Sequence, residues 1–235
     1  MIKEISYNEL PDDLKPHFDG WKNYFNKFIL SGDFISINHI GPDPNLNCHN
    51  SREKYLEWMG TLPPKGGIPH KDERFYPREF SAFSSFCKAK KVVEFGTNLG
   101  AGTFLLSKLN PDAEIFTTDI VDSWSSDGCI FEIGHIAKVN KVKCHYLKQN
   151  SHDLSIQNVD FCFIDGDHRE QGVYKDSLRA WENRNKSGWL IAWHDFVFDE
   201  EMTGNRKSIE KFSNEVGITV YKLDDSGTAW AYGCF

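Results

Sequence analysis

Lys91-Val-Val-Glu-Phe-Gly-Thr-Asn-Leu-Gly-Ala-Gly-Thr-Phe-Leu-Leu-Ser-Lys-Leu109 is the stretch that predicts the fold. Its first part, through Phe95, is typical of a buried strand, and its last part is typical of a helix. Between them Gly96, Gly100 and Gly102 allow a sharp turn and a close approach of the backbone to a ligand. The turn leads into a helix N-terminus, whose free N–H groups suit a polar ligand. The stretch therefore predicts a strand–turn–helix unit that binds a ligand.

A second strand is predicted over residues 115–118, and Asp119 follows it directly. An acid at the end of this strand is placed to accept hydrogen bonds from ribose hydroxyls. Its distance along the chain from Gly96 is close to the roughly 20 residues expected of a nucleoside-binding unit. The dinucleotide fingerprint would require glycine where the chain has Asn98. The pattern therefore predicts nucleoside binding without the dinucleotide signature.

Two further predicted strands, over residues 159–164 and 189–193, end in side chains that can bind a metal. Asp165 and His168 follow the first of these strands, and His194 and Asp195 follow the second. Because the carboxyl ends of neighbouring parallel strands meet at one edge of a sheet, we expect these side chains to converge. Two carboxylates and an imidazole suit Mg²⁺ or Mn²⁺. The alternative is a local hydrogen bond between His194 and Asp195.

The remaining elements complete an alternation of strands and helices. A helix is expected from Asp167 to Trp181, with Asp167 as its cap, because Asp167-x-x-Glu170 has the spacing of a capping box. The other predicted elements are a helix at 77–89, a polar loop at 122–128 with a helix through 136, a strand at 142–147, and a hairpin of residues 218–223 and 228–232. This alternation predicts an α/β fold.

The composition excludes several classes of protein. The chain has 235 residues and a formal net charge of −7. Its charges are interspersed without a basic stripe, which argues against nucleic acid as a partner. No apolar run approaches the roughly 20 residues that span a bilayer, and the first residues lack a signal-peptide segment. We therefore expect no membrane partner and a cytoplasmic location, and the six scattered cysteines, without a Cys-x-x-Cys pair, agree with a reducing compartment.

Glu94-Phe-Gly96-Thr-Asn-Leu-Gly100, followed by Asp119, resembles the first two motifs of the class I S-adenosylmethionine-dependent methyltransferases. The resemblance implies a Rossmann-like fold over residues 81–235: a mostly parallel seven-stranded sheet, helices on both faces and a C-terminal antiparallel hairpin. It also implies a set of residues that hold S-adenosylmethionine. These are Glu94, Gly96, Thr97, Asn98, Gly100, Thr103, Asp119, Ile120, Asn150 and Ser151.

Within this set, two residues have particular expected roles. Thr103 is expected to be available to the carboxylate of the cofactor. Asn150 stands where relatives often have the Asp that meets the adenine amine, and its amide can still hydrogen-bond adenine. The nearby His152 is expected to face solvent.

Ile164-Asp-Gly-Asp-His168 and Trp193-His-Asp195 resemble the metal-dependent O-methyltransferases of the sugar, macrolide-glycan and catechol types. The resemblance implies that Asp165, His194 and Asp195 hold Mg²⁺ or Mn²⁺ and that His168 is the general base. Some relatives have Glu at the position of His194, so this ligand is a departure. The implied reaction is methylation of a hydroxyl of a sugar, a glycan or a glycosylated natural product.

Three alternatives stay open at this point. A metal-independent methyltransferase would use Asp165 and His168 directly on an oxygen or nitrogen acceptor. A nucleoside-binding protein of the dehydrogenase type would not transfer methyl groups, and an inactive relative would serve as an interaction module.

Residues 1–80 are expected to form an N-terminal extension. It is either a substrate lid, built on the proline-punctuated segment 41–77, or an arm that makes a homo-oligomer.

Overall fold

The computed structural model describes residues 1–25, 27, 77–98, 100–126, 129–134, 137–138, 141–196 and 205–234. The strands are β1 (Ile2–Ile5), β2 (Lys91–Phe95), β3 (Glu114–Asp119), β4 (Ser123–Ser126), β5 (Cys129–Glu132), β6 (His145–Lys148), β7 (Phe161–Ile164), β8 (Trp189–Trp193), β9 (Val220–Leu223) and β10 (Ala229–Gly233). The α-helices are α1 (Lys15–Asp19), α2 (Trp21–Phe25), α3 (Pro77–Cys87), α4 (Ala101–Leu109), α5 (Glu170–Asn183) and α6 (Asn205–Val216). No helix among the described residues has the length and apolar character that crossing a membrane requires.

Eight strands form one mixed sheet in the order β1-β9-β10-β8-β7-β2-β3-β6. The central pairs β8–β7, β7–β2, β2–β3 and β3–β6 are parallel, whereas β10 runs antiparallel to both of its neighbours. The expected Rossmann-like methyltransferase fold, with its C-terminal antiparallel hairpin, is thereby confirmed. The carboxyl ends of β2, β3, β7 and β8 lie at the same edge of the sheet, where such folds bind their ligands.

The apolar strand residues divide between the two faces of the sheet because successive side chains point in opposite directions. Val92 and Phe163 pack with α1 to α4 in one core, while Val93 and Cys162 pack with α5 and α6 in the other. These four side chains are at most 2% exposed. Burial on both faces explains why these strands have few polar residues, as is usual for parallel sheets.

The eighth strand, where seven were predicted, comes from the N-terminus. Residues Ile2–Ile5 pair in parallel with Val220–Leu223 and cover what would be an exposed sheet edge. Only Ile5 is buried in this strand. A four-residue segment with one buried side chain carries too weak a pattern to be read without its partner.

The same N-terminal segment contributes to the core. Phe18 of α1 contacts the rings of Phe83 and Trp230, with centroid distances of 5.9 Å and 5.8 Å, and Phe25 of α2 is 2% exposed. The division of the chain at residue 80 stays a prediction, and it falls within α3. The lid expected at 41–77 lies, except for Pro77, outside the described residues.

Two local predictions were wrong. The region after Asp119 forms a hairpin of β4 and β5, with Ser123 opposite Glu132, in place of a polar loop and the start of a helix. The predicted cap is also displaced, because α5 begins at Glu170 and Arg169 occupies its N-cap. Asp167 instead accepts the backbone N–H of Arg169 at 3.0 Å and pairs with its guanidinium. That ion pair competes with the capping box and moves the helix start.

Candidate active site

Two neighbouring strands bring three potential metal ligands together. β7 and β8 are parallel partners with Ile164 opposite Trp193, so the next residue of each strand leaves the sheet at the same edge. His194 Nδ1 lies 2.8 Å from Asp195 Oδ1 and 3.3 Å from Asp165 Oδ1. The ligand atoms of the three side chains all lie within 4.8 Å of one another.

His168 lies beside the same carboxylates. Its Nε2 atom is 3.0 Å from Asp195 Oδ2 and 3.5 Å from Asp165 Oδ1. Its side chain is 47% exposed, whereas that of His194 is 10% exposed, so His168 is the imidazole that is open to a ligand. We call Asp165, His168, His194 and Asp195 the charged cluster.

The charges of this cluster stabilise one another. Hydrogen bonds to Asp165 and Asp195 raise the pKa of His168 to about 10. Burial lowers the pKa of His194, but the two carboxylates outweigh it and raise that pKa well above its usual value. Burial also raises the pKa of both carboxyls, yet the histidines hold each pKa below its usual range. At neutral pH the cluster therefore balances two carboxylates with two imidazolium groups.

The backbone of Asp195 helps to form the cluster. Its φ of 55° lies in the left-handed region, which non-glycine residues rarely adopt. The surrounding contacts hold it there, since Asn205 donates its side-chain N–H to the carbonyl of Asp195 at 3.0 Å. Backbone strain of this kind concentrates at functional sites.

The glycine turn after β2 reaches the charged cluster at Gly96. This residue has a φ of 93°, and a Cβ added to it would stand 2.1 Å from the carbonyl oxygen of Asp165. Only glycine permits this approach. Further along the turn, the N–H of Asn98 donates to Asp119 Oδ2 at 2.9 Å, which fixes the acid at the end of β3.

Behind the turn lies a buried polar network of Glu94, Thr103 and Thr117, which we call the threonine network. The hydroxyl of Thr117 donates to Glu94 Oε2 at 2.6 Å, Thr103 donates to the same oxygen, and Thr97 contacts Thr117 at 2.6 Å. Burial raises the pKa of Glu94 to about 8, although the two hydroxyls oppose the shift. Glu94 is therefore largely protonated at neutral pH. Thr103, expected to be available to the cofactor, is fully buried and faces Glu94.

A single cavity of about 1070 Å³ joins the glycine turn to the charged cluster. The predicted site residues that line it are Gly96, Asn98, Asp119, Ile120, Asn150, Ser151, Asp165, His168, His194 and Asp195. Four other predicted cofactor residues do not line it, namely Glu94, Thr97, Gly100 and Thr103. The cavity therefore separates residues that can touch a ligand from residues that support the turn.

Sequence reasoning missed part of the cavity wall. His152 was expected to face solvent, but it lines the cavity, and its Nε2 atom lies 3.4 Å from Asp176 Oδ1. Asp176 is fully buried, accepts a hydrogen bond from Ser151, and has a pKa that burial raises to about 6. Its position three residues after the buried Val173 placed it on the inner face of α5, and that spacing was the available signal.

The residues present fit the two groups that the motifs imply. Two carboxylates and one imidazole, gathered within 4.8 Å, are a usual donor set for a divalent cation. The cavity is large enough for a nucleoside together with an acceptor. Asp119 lies at its wall with a carboxylate whose protein partners are backbone N–H groups.

Comparisons with known proteins agree with this architecture. The model of a methyltransferase domain family matches residues 93–196, from β2 to just beyond Asp195. Residues 93–196 therefore match a methyltransferase domain, and this match supports an enzyme of the methyltransferase class. The comparison with curated proteins found no significant match.

Solved structures share the fold at low sequence identity. A Klebsiella pneumoniae protein provisionally assigned as an O-methyltransferase is 17% identical, with 91% of this chain and 96% of that chain covered and a TM-score of 0.52. A Staphylococcus aureus protein provisionally assigned as a caffeoyl-CoA O-methyltransferase is 13% identical, with 80% and 94% covered and a TM-score of 0.55. The methyltransferase PaMTH1 of Podospora anserina, solved with S-adenosylhomocysteine, is 14% identical, with 96% and 89% covered and a TM-score of 0.50.

Proposed function

We propose that this chain is an S-adenosylmethionine-dependent O-methyltransferase that uses a divalent cation, Mg²⁺ or Mn²⁺. Its acceptor is a hydroxyl of a sugar, a glycan or a glycosylated natural product. The observation that carries the proposal is the shared cavity, in which His168 stands within 3.5 Å of both Asp165 and Asp195 at one end and Asp119 stands at the other.

The end of the cavity near Asp119 suits the nucleoside of S-adenosylmethionine. Asp119 can accept from ribose hydroxyls, as acids at the end of the second strand do in related nucleotide-binding folds. Ile120 is 66% exposed beside it and offers an apolar surface to a purine ring. Asn150 lines the same end, although its side-chain oxygen already accepts the N–H of His152 at 3.0 Å. Its amide N–H group can donate to the base.

The other end of the cavity suits removal of a proton from an acceptor. His168 is the half-exposed imidazole of the charged cluster, and it is the residue that takes the proton of the acceptor hydroxyl. A divalent cation held by Asp165, His194 and Asp195 would supply Lewis-acid activation of that hydroxyl and neutralise the carboxylates that raise the pKa of His168. The methyl group passes from sulfonium to oxygen, and the protein's main contribution is orientation.

The described part of the cavity lining supports a polyhydroxylated acceptor over a phenol. Among the described lining residues, Ile120 is the single large apolar side chain, and none is Phe, Tyr or Trp. The lining instead includes the polar side chains Arg169, Glu170, Gln171 and Lys175. Such a wall offers hydrogen bonds to sugar hydroxyls but little surface on which an aromatic ring could stack.

The test combines binding and turnover. Calorimetry with S-adenosylhomocysteine and with NAD separates methyl transfer from the dehydrogenase-type alternative, and binding of NAD alone would contradict the proposal. Transfer of labelled methyl from S-adenosylmethionine to a panel of glycosides and catechols then identifies the acceptor class. Activity that survives complete chelation of divalent cations would favour the metal-independent alternative. We expect S-adenosylhomocysteine binding, glycoside methylation and loss of turnover on chelation.

A further inference from the structure

His194 occupies a different position in the charged cluster from His168. It directly follows β8, its side chain is 10% exposed, and its Nδ1 atom faces both carboxylates, at 2.8 Å and 3.3 Å. Its ring also stands against the edge of Phe163, with a centroid distance of 6.0 Å. A buried ring held on two sides has little freedom to turn its nitrogen away. His194 is therefore built into the cation site.

We propose that His194 makes this site selective for a first-row transition-metal dication, such as Mn²⁺ or Co²⁺, over Mg²⁺. The inference rests on the divalent cation of the proposed function and names its chemical class. Mg²⁺ is a hard ion that prefers oxygen donors and keeps its waters, whereas imidazole nitrogen favours the transition metals. A carboxylate at position 194 would complete an all-oxygen set. The imidazole replaces one of those oxygens with nitrogen.

The separations between His194 and the two carboxylates suit ligands of one ion. Neighbouring ligands of an octahedral ion at about 2.1 Å stand about 3 Å apart. The separations from His194 Nδ1 to the carboxylate oxygens of Asp195 and Asp165, 2.8 Å and 3.3 Å, bracket that value. Both separations are compatible with neighbouring ligand positions on one ion, once His194 Nδ1 has lost its proton.

His168 is the competing source of a nitrogen ligand. Its Nε2 atom lies 3.0 Å from Asp195 and 3.5 Å from Asp165, so it too could reach an ion held by the carboxylates. Its side chain is 47% exposed, however, and it is open to the acceptor. The assignment to His194 must therefore be tested against His168 directly.

The experiment measures metal binding to the metal-free full chain. Mn²⁺ binding is followed by electron paramagnetic resonance, and Mg²⁺ and Co²⁺ affinities are obtained by competition. We expect the ratio of the Mg²⁺ to the Co²⁺ dissociation constant to fall at least about tenfold in His194→Glu. The ratio is used because the added carboxylate strengthens binding of every dication. His194→Asp is the second variant, and His145→Ala, an exposed histidine on β6, is the control.

A second readout identifies the nitrogen ligand itself. Pulsed resonance of the Mn²⁺-loaded protein should show nitrogen modulation from a coordinated imidazole in the wild type, in His168→Ala and in His145→Ala, and none in His194→Glu. An unchanged affinity ratio in both His194 variants would overturn the proposal. So would nitrogen modulation that disappears in His168→Ala and persists in His194→Glu.

Binding of S-adenosylhomocysteine distinguishes failure of the inference about His194 from failure of the proposed function. If the chain binds S-adenosylhomocysteine but no dication, methyltransferase activity remains supported and the inference about His194 is contradicted. If the chain binds transition metals selectively through His194 but binds no S-adenosylhomocysteine, the inference about the cation is supported and the proposed function is contradicted. Thermal melting of each variant shows that its fold is intact.

Discussion

The threonine network and the charged cluster stand at the same edge of one sheet, yet they are stabilised in opposite ways. In the network, a carboxyl with a pKa of about 8 accepts from two buried hydroxyls and remains neutral. In the cluster, carboxylates and imidazoles hold each other charged at separations of 2.8 Å to 3.5 Å. Neutral polar groups can be buried once they are hydrogen-bonded, whereas buried charges also need partners of opposite sign.

The difference indicates which part of the site has a structural role and which part contains groups that can react. The threonine network lies behind the glycine turn and does not line the cavity, so it supports the cofactor side without touching a ligand. The charged cluster lines the cavity and can exchange protons or hold a cation. Gly96 connects the two regions, because it follows Glu94 by two residues in the chain and its backbone lies against that of Asp165. Substitutions on either side should therefore affect different measurable properties.

The largest expected effect is on turnover in His168→Ala. Removal of a general base lowers the rate by roughly 10²- to 10⁴-fold. Because His168 belongs to the charged cluster, binding of S-adenosylhomocysteine should remain unchanged. Single-turnover methyl transfer and calorimetry measure the two properties, with His145→Ala as the control. Wild-type turnover in His168→Ala would remove this residue from the mechanism.

Gly96→Ala should damage both regions at once. The new Cβ would stand 2.1 Å from the carbonyl oxygen of Asp165, so the turn and the end of β7 must move apart. We expect affinity for both S-adenosylhomocysteine and Mn²⁺ to fall at least about tenfold, and the melting temperature to fall by more than about 4 °C.

Gly217→Ala is the matched control for this substitution. Gly217 has a similar left-handed φ, 73°, but a Cβ there would meet nothing within 4 Å. Its cost should be limited to backbone strain, about 1 kcal/mol, with both affinities preserved. Equal affinities and melting temperatures in the two variants would show that the close contact of Gly96 with Asp165 is not needed for binding.

Asp119→Asn should weaken the cofactor side alone. The carboxylate holds the N–H of Asn98 at 2.9 Å and is expected to accept from the ribose. Loss of a hydrogen bond to a charged group costs about 1.5 kcal/mol or more, so the dissociation constant of S-adenosylhomocysteine should rise roughly tenfold. Mn²⁺ affinity should not change. Asp122→Asn, at an exposed carboxylate paired with Lys148, is the control, and an equal effect there would contradict the role of Asp119.

The smallest effect concerns stability in Glu94→Gln. The folded-state pKa of Glu94, about 8, lies above the ordinary 4.5, so the unfolded chain ionises first as the pH rises. Burial of this carboxyl therefore leaves the free energy of unfolding unaffected by ionisation below pH 4.5. It lowers that free energy progressively between pH 4.5 and pH 8, and by a constant amount above pH 8. Gln is neutral in both states and escapes this penalty.

The stabilisation by Gln should accordingly be larger at pH 8 than at pH 5. We expect the difference in melting temperature to reach at least about 2–4 °C, the shift that about 1 kcal/mol produces in a domain of this size. Thermal melts at the two pH values measure it, with the exposed Glu210→Gln as control. A gain independent of pH would mean that Glu94 is ionised in the folded protein.

Local sequence was sufficient where a feature depends on neighbours in the chain. The helix predicted at 77–89 is observed as Pro77–Cys87, and the strand predicted at 189–193 is observed unchanged. The proximity of Asp165 to His194 also followed from local pattern, because parallel strands place their carboxyl ends at one edge. The methyltransferase fold was indicated by the family resemblance that the motif at Glu94 to Gly100 and Asp119 carry.

Tertiary structure alone decided which polar residues line the cavity. Thr97 stands in the motif and Thr103 just after it, yet the hydroxyl of Thr97 contacts Thr117 and that of Thr103 donates to Glu94, so neither residue lines the cavity. His152 is drawn towards the buried Asp176 on a distant helix, and β1 finds its partner more than 200 residues away along the chain. Sequence patterns report the periodicity of one element, whereas the direction of a polar side chain is decided by the partners that other elements bring to it.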